Sequence, residues 1–259
     1  MRATAVSDLR LCLVFLTRLP LRLRAEETGA PLAGAVWCFP LVGLLIGLMT
    51  AGLALAVLWL GLTAWITAAL TVAFAMLLTG ALHEDGLADM ADGFAGGWTR
   101  ERRLEIMRDS RLGSYGASAL VISVLLRVAA LAALADAGPL ILAVSLVAAH
   151  STARALLPAM MASTPIARRE GQSASAGRPK PAGAVAALAI GLTILLAASL
   201  LFDGSLDLIL LAALLMGGSF LAVRALAQRQ IGGYTGDVLG GLEQAGEIAI
   251  LLSAVLLLA

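Results

Sequence analysis

Repeated apolar runs, each long enough to cross a bilayer, constrain this chain more than any other feature. A crossing helix needs about 20 predominantly apolar residues, because the hydrocarbon core is about 30 Å thick and an α-helix rises about 1.5 Å per residue. Such runs are read at residues 36–58, 60–82, 117–134, 140–161, 182–201 and 208–226. A seventh, at 247–259, is short, and implies tilt, local thinning or a start nearer Val238. Lipid offers backbone groups no hydrogen bonds, so runs of this kind are helices. The expected fold is all-α: a polytopic transmembrane helical bundle of about seven spans, six being the alternative, forming one integral membrane domain over 1–259. Only 14% of residues are charged and 60% are hydrophobic, whereas a soluble domain carries about 25% charged residues. That excludes a soluble enzyme on a membrane anchor. A net charge of +1 and 5% aromatic content leave no basic block or stacking surface for nucleic acid.

The charges orient the spans. Arg22, Arg24, Arg100, Arg102, Arg103, Arg108, Arg111, Arg168, Arg169, Arg178, Lys180 and Arg229 fall on one side of this map. The opposite connections carry Asp136, Asp203 and Asp207 and no Lys or Arg. The positive-inside rule then places the N-terminus in the cytoplasm of a multi-pass inner (cytoplasmic) membrane protein. Residues 8–21, DLRLCLVFLTRLPL, are too short to span and are interrupted by Arg18 and Pro20, so they read as an interfacial helix. There is no cleavable signal pattern. Cys12 and Cys38 have no metal-site spacing and read as small buried apolar residues. Gly43 and Gly47 form a G-x-x-x-G face suited to close helix contact. Residues 163–181, polar and rich in small residues, read as a mobile cytoplasmic loop and a lid.

One cytoplasmic stretch, residues 83–116, concentrates the acids: HEDGLADMADGFAGGWTRERRLEIMRDSRLGSYG. Asp85, Asp89 and Asp92 are spaced i, i+4, i+7 and share one helix face. Like charges so placed need a counter-charge. A divalent cation is the simplest, and carboxylates together with substrate phosphates suit Mg²⁺. The three acids span roughly 10 Å, room for one or two ions beside a diphosphate. The plainer reading is a solvated loop between two spans, which leaves the single-faced spacing unexplained. The acids either extend the second span's helix or follow a break at Gly86, and Gly96 and Gly97 end the segment. Thr99 is the expected N-cap of a second short helix. Arg111 is a phosphate-binding candidate, and Asp109 is a metal ligand, a base or the partner of Arg111. Arg127 falls inside a span, where a charge needs a partner or a substrate. His150 and Arg154 share a face at i, i+4: His150 reads as a satisfied interior histidine and Arg154 as a phosphate or nucleotide contact. Residues 232–244, GGYTGDVLGGLEQ, form a second polar centre on the same side.

Together with FLTRLPL (15–21), WCFPLVGLLIG (37–47) and GGYTGDVLG (232–240), the HEDGLADMADGFAGG and RLEIMRDSRLGSYG stretches closely resemble the adenosylcobinamide-GDP ribazoletransferase, or cobalamin synthase (cobalamin-5'-phosphate synthase), family. The resemblance runs nearly end to end. It implies an integral membrane enzyme, distantly similar to CDP-alcohol phosphotransferases, that uses Mg²⁺. The reaction implied is transfer from adenosylcobinamide-GDP to alpha-ribazole or its 5'-phosphate, giving adenosylcobalamin or its 5'-phosphate and GMP. The expected metal ligands are Asp85, Asp89 and Asp92. Glu84, Asp92 and Asp237 are the catalytic candidates, with the identity of the base open among them. Arg18, which lies inside FLTRLPL, joins Arg111, Arg154, Ser114 and Tyr234 as a substrate-binding candidate. The CDP-alcohol signature itself matches poorly, because its DG precedes an Ala-Arg pair and more widely spaced acids. A CDP-alcohol phosphatidyltransferase is therefore the runner-up. A transporter is the reading from another class, though its charges would sit near the midplane. Small-molecule substrates and the bilayer are the expected partners; homo-oligomerisation stays open.

Overall fold

The computed structural model describes residues 4–25, 27–168, 175–201 and 206–258. Within them the chain is an all-α bundle. The helices are α1 (Ala5–Leu16), α2 (Phe39–Trp59), α3 (Ala64–Thr79), α4 (Leu82–Gly96) and α5 (Arg100–Ile106), then α6 (Ser114–Ala137), α7 (Pro139–Ser163), α8 (Pro181–Leu200), α9 (Leu206–Ile231) and α10 (Gly236–Leu256). The helix starts follow local chemistry. Pro40, Pro139 and Pro181 occupy first turns, where a missing N–H costs nothing. Thr4, Thr63, Thr99 and Thr235 cap α1, α3, α5 and α10 by accepting a first-turn backbone N–H.

Six helical segments are long and apolar enough to cross a membrane: Val36–Trp59, α6, α7, α8, α9 and α10. Helices α3 and α4 are apolar enough only as a pair, bent by 90° at the break between them, which makes a broken seventh span or a re-entrant segment. The break falls at Gly80 and Ala81, so the acids neither continue the helix of α3 nor follow a break at Gly86, which lies inside α4. Gly80 (φ 68°) and Ala81 (φ 53°) both take the left-handed conformation. Their N–H groups close the last turn of α3 onto Leu77 and Met76. The Arg18 side chain packs against Gly80, where a Cβ would collide with it, so glycine serves both the turn and the contact.

Helix α10 begins at Gly236, eleven residues before the expected final span and close to the Val238 alternative. Hydropathy alone missed those turns because Glu243, Gln244 and Glu247 look solvated in sequence, yet all three are buried. Helix α7 is the centre of the bundle and packs on α2, α8 and α10. The G-x-x-x-G face serves this packing: a Cβ on Gly47 would come 2.6 Å from the Val147 Cα. Large apolar side chains such as Leu48, Leu77, Leu125, Leu192 and Leu214 are exposed, as a lipid solvent allows. The expected lid falls partly on residues 169–174, outside the described residues, as do the Asp203 and Ser205 of the outer connection. The described flanks of that loop are held: Ile166 bridges Tyr234, and Arg178 donates to the Ala162 carbonyl.

Candidate active site

Helices α4 and α10 meet at the end of the bundle that carries the basic residues. Their backbones approach without intervening side chains. A Cβ on Gly240 would lie 2.9 Å from the His83 carbonyl oxygen and 3.0 Å from the Gly86 Cα, and one on Gly86 would lie 3.1 Å from the Asp237 Cα. This packing sets Asp237, in the first turn of α10, beside the acids of α4. Asp237, Asp85 and Asp92 all act electrostatically on the half-buried Asp89, with Arg168 opposing them. The Arg168 Nη2 is 3.7 Å from the Asp237 Oδ2 and also donates to the Leu104 carbonyl. Thr235 donates its hydroxyl to the Asp237 carboxylate at 3.1 Å. Thr235, and not Asp237, is the cap of α10, accepting from the Val238 N–H.

A cavity of about 480 Å³ opens beside these acids. Arg18, His83, Asp85 and Asp237 line its polar side; Phe15, Leu16, Leu32, Phe39, Leu157 and Met161 line the other. Of the substrate-binding candidates, Arg18 alone is in this lining. Arg111 is exposed and paired at 2.5 Å with Asp109, whose carboxyl the Arg111 hydrogen bonds hold down to about 2. Asp109 therefore serves here as the partner of Arg111. Ser114 is exposed at the first position of α6. Tyr234 is fully buried, and its backbone pairs with Pro165 and Ala167.

Asp92 lies on the same helix face as Asp85 and Asp89, but its carboxylate is engaged elsewhere. Its two oxygens accept the N–H groups of Gly113 and Gly116, each at 2.8 Å, at the start of α6. That is favourable anion placement at a helix N-terminus. Among the described residues no three of Asp85, Asp89, Asp92 and Asp237 bring ligand atoms within 4.8 Å of one another. The donor chemistry still fits Mg²⁺, which is held through one or two carboxylates plus waters and substrate phosphates. Asp85 and Asp237 offer hard oxygen donors at the cavity, with Asp89 next to them outside its lining.

Glu84 and Arg154 lie deeper, in an ionic network inside the bundle. Arg127 of α6 is 2.9 Å from Glu84 and 3.6 Å from Glu247. Arg154 of α7 is 2.6 Å from Glu243 and 3.0 Å from Glu247. His150 is in short contact with Glu247, and Gln244 reaches Ser123, Glu84 and Glu243. These contacts tie four helices, α4, α6, α7 and α10, together. His150, Glu243 and Glu247 do cluster closely enough for a metal, but Arg154 already occupies that charge position. Arg154 is paired with carboxylates, and neither it nor Glu84 lines the cavity.

The sequence reading places His83, Glu243 and Gln244 inside the two polar centres without giving any of them a role, and singles out neither Glu247 nor Arg168. A signal for Glu243, Gln244 and Glu247 existed. Arg127, His150 and Arg154 inside spans demand buried acids, and Glu243 and Glu247 repeat at i, i+4. Arg168 read only as a topology charge.

Comparisons with known proteins identify the family. The family model described as CobS, cobalamin-5-phosphate synthase, matches residues 8–255. A Bradyrhizobium diazoefficiens protein named adenosylcobinamide-GDP ribazoletransferase is 48% identical over 249 residues, covering 96% of this chain and 93% of that protein. One of the same name from Mesorhizobium japonicum is 45% identical over 249 residues, with the same coverage. One from Shewanella baltica is 40% identical over 242 residues, covering 90% of this chain and 88% of its own. No solved structure matches. A family match across both polar centres and every span leaves one conclusion: the chain belongs to the cobalamin-5-phosphate synthase family, the adenosylcobinamide-GDP ribazoletransferases.

Proposed function

We propose that this protein transfers the adenosylcobinamide phosphate moiety of adenosylcobinamide-GDP to alpha-ribazole or alpha-ribazole 5'-phosphate, releasing GMP. The work is done at the cytoplasmic face of the inner membrane, with the N-terminus on that side. The observation that carries the reading is the meeting of Asp85 and Asp89 from α4 with Asp237 from α10 beside a substrate-sized cavity. In the transfer, an acceptor hydroxyl oxygen bonds to the phosphorus that bears the cobinamide. The P–O bond to the GMP phosphate breaks, and the hydroxyl proton passes to a base. Mg²⁺ held by Asp85, Asp89 and Asp237 would supply positive charge against the diphosphate and the departing phosphate. Arg168 adds a fixed cation beside Asp237. Asp237 is the preferred group to orient the acceptor hydroxyl, because Glu84 is paired with Arg127 and Asp92 with the start of α6. Asp92 serves as the support that fixes α4 against α6.

The test is direct. Purified protein in detergent or liposomes is incubated with adenosylcobinamide-GDP, alpha-ribazole 5'-phosphate and Mg²⁺, and GMP and the joined corrinoid are measured. A parallel incubation with CDP-diacylglycerol and candidate alcohols tests lipid synthesis. Lipid product in the second tube and no GMP in the first would overturn the proposal.

A further inference from the structure

Arg100 reads in sequence as one of many cytoplasmic charges, yet its guanidinium joins two chain segments that lead to the site. Its Nε donates to the Ile231 carbonyl at 2.8 Å and its Nη2 to the Ala167 carbonyl at 2.7 Å. These N–H groups leave one edge of the guanidinium in parallel, a fork that only arginine carries. Ile231 ends α9, where carbonyls lack helical partners and a cation is favoured. Arg103 adds a bond to the neighbouring Gln230 carbonyl at 3.3 Å. The two segments are also tied to each other. The Tyr234 N–H donates to the Pro165 carbonyl and the Ala167 N–H to the Tyr234 carbonyl, each at 2.9 Å. Gly233 permits this approach, since a Cβ there would collide with the Pro165 carbonyl oxygen.

One segment leads from Ala167 to Arg168, the other from Ile231 to Asp237. Arg168 donates from its Nη2 to the Leu104 carbonyl at 3.0 Å, one turn along α5 from Arg100. Helix α5 therefore holds Arg168 twice, at the peptide that precedes it and at its guanidinium. The pair so placed, Arg168 and Asp237, is separated by 3.7 Å. That is too long for a hydrogen bond, so the pair does not hold itself together and the two backbones set its spacing. Arg100 itself does not line the cavity. We propose that Arg100 is a positioning residue for the transfer. Its fork fixes the Ala167–Arg168 peptide against the end of α9 and so sets the Arg168 cation beside Asp237. This role rests on the transfer reaction proposed above, in which Arg168 acts as a fixed cation.

The experiment uses the purified full chain with Arg100→Gln, Arg100→Lys, Arg168→Gln and the Arg100→Gln/Arg168→Gln pair. GMP release from adenosylcobinamide-GDP with alpha-ribazole 5'-phosphate gives kcat and KM, and unfolding in mixed micelles is followed in parallel. Arg100→Gln should lower kcat by about tenfold, short of the roughly 10²-fold that a 1 Å misplacement can cost, and move neither KM beyond about twofold. The Arg100 side chain is 50% exposed, so the unfolding midpoint should hardly change. Arg100→Lys keeps the charge but not the fork and should recover little of the loss. In the Arg168→Gln background, Arg100→Gln should lower kcat no further, because the group it positions is gone. Arg102→Gln removes an exposed α5 charge paired with Glu105 at 2.7 Å and should leave kcat unchanged. Wild-type protein that transfers normally, with Arg100→Gln equally active or with losses that add in the double variant, overturns the positioning role and leaves the reaction standing. Full recovery in Arg100→Lys, or a kcat loss matched by an equal loss of folded protein, overturns it as well. Wild-type protein that forms no joined corrinoid removes the reaction, and the role with it.

Discussion

Arg127→Met probes the interior network most directly. The Arg127, Glu84 and Glu247 side chains are 3%, 5% and 3% exposed, so solvent screens little of their interaction. Met matches much of the length of Arg but carries no charge. Glu247 keeps Arg154 at 3.0 Å and His150. Among the described residues Glu84 keeps one hydrogen bond, from Gln244 at 3.4 Å. The cost therefore falls on Glu84, left as a buried charge with no cation in contact, Arg154 acting on it only at longer range. Removing one partner of a buried pair costs about 3–5 kcal/mol. At about 1.4 kcal/mol per tenfold, the unfolded population should rise by about 10²- to 10⁴-fold. The Arg127 Nε and Nη2 have no partners among the described residues, so little favourable bonding beyond the two carboxylates is lost. Glu84→Gln in the Arg127→Met background removes the stranded charge and should restore at least half of the lost stability. Reversible unfolding in mixed SDS and maltoside micelles gives both quantities. An Arg127→Met protein as stable as wild type, or a double variant no better than the single, would refute the argument.

Three further outcomes test the site and its placement. Asp237→Asn keeps size and much hydrogen bonding but removes the charge, so kcat should fall by roughly 10²-fold or more; Asp136→Asn, in the last turn of α6, should change kcat little. Chelation with EDTA should abolish GMP release and added Mg²⁺ restore it, and full turnover in a chelated preparation would remove the metal from the scheme. Cysteines at Leu62 and Glu101, both exposed and at opposite ends of the bundle, are introduced into a chain lacking Cys12 and Cys38. Glu101→Cys should label only from the cytoplasm and Leu62→Cys only from outside; labelling of both from one side contradicts the orientation.

Local features of the fold are legible in the amino-acid sequence. Apolar run length identifies the membrane bundle, and Thr99 and the prolines near helix starts mark where helices begin. The i, i+4, i+7 spacing puts Asp85, Asp89 and Asp92 on one face, because helix geometry repeats within a few residues. Tertiary structure decides which of those acids face the cavity. Asp92 turns to the N–H groups of Gly113 and Gly116, while Asp237 comes from the far end of the chain to Asp89. That exchange depends on the contact of Gly86 with Gly240, a fit between two helix surfaces that no spacing along one helix encodes. The early start of α10 is legible only as one alternative: the short final run allows a start nearer Val238, and arginines inside spans call for buried acids. Which acids become interior is decided by the positions of Arg127 and Arg154 on neighbouring helices, beside Glu243 and Glu247.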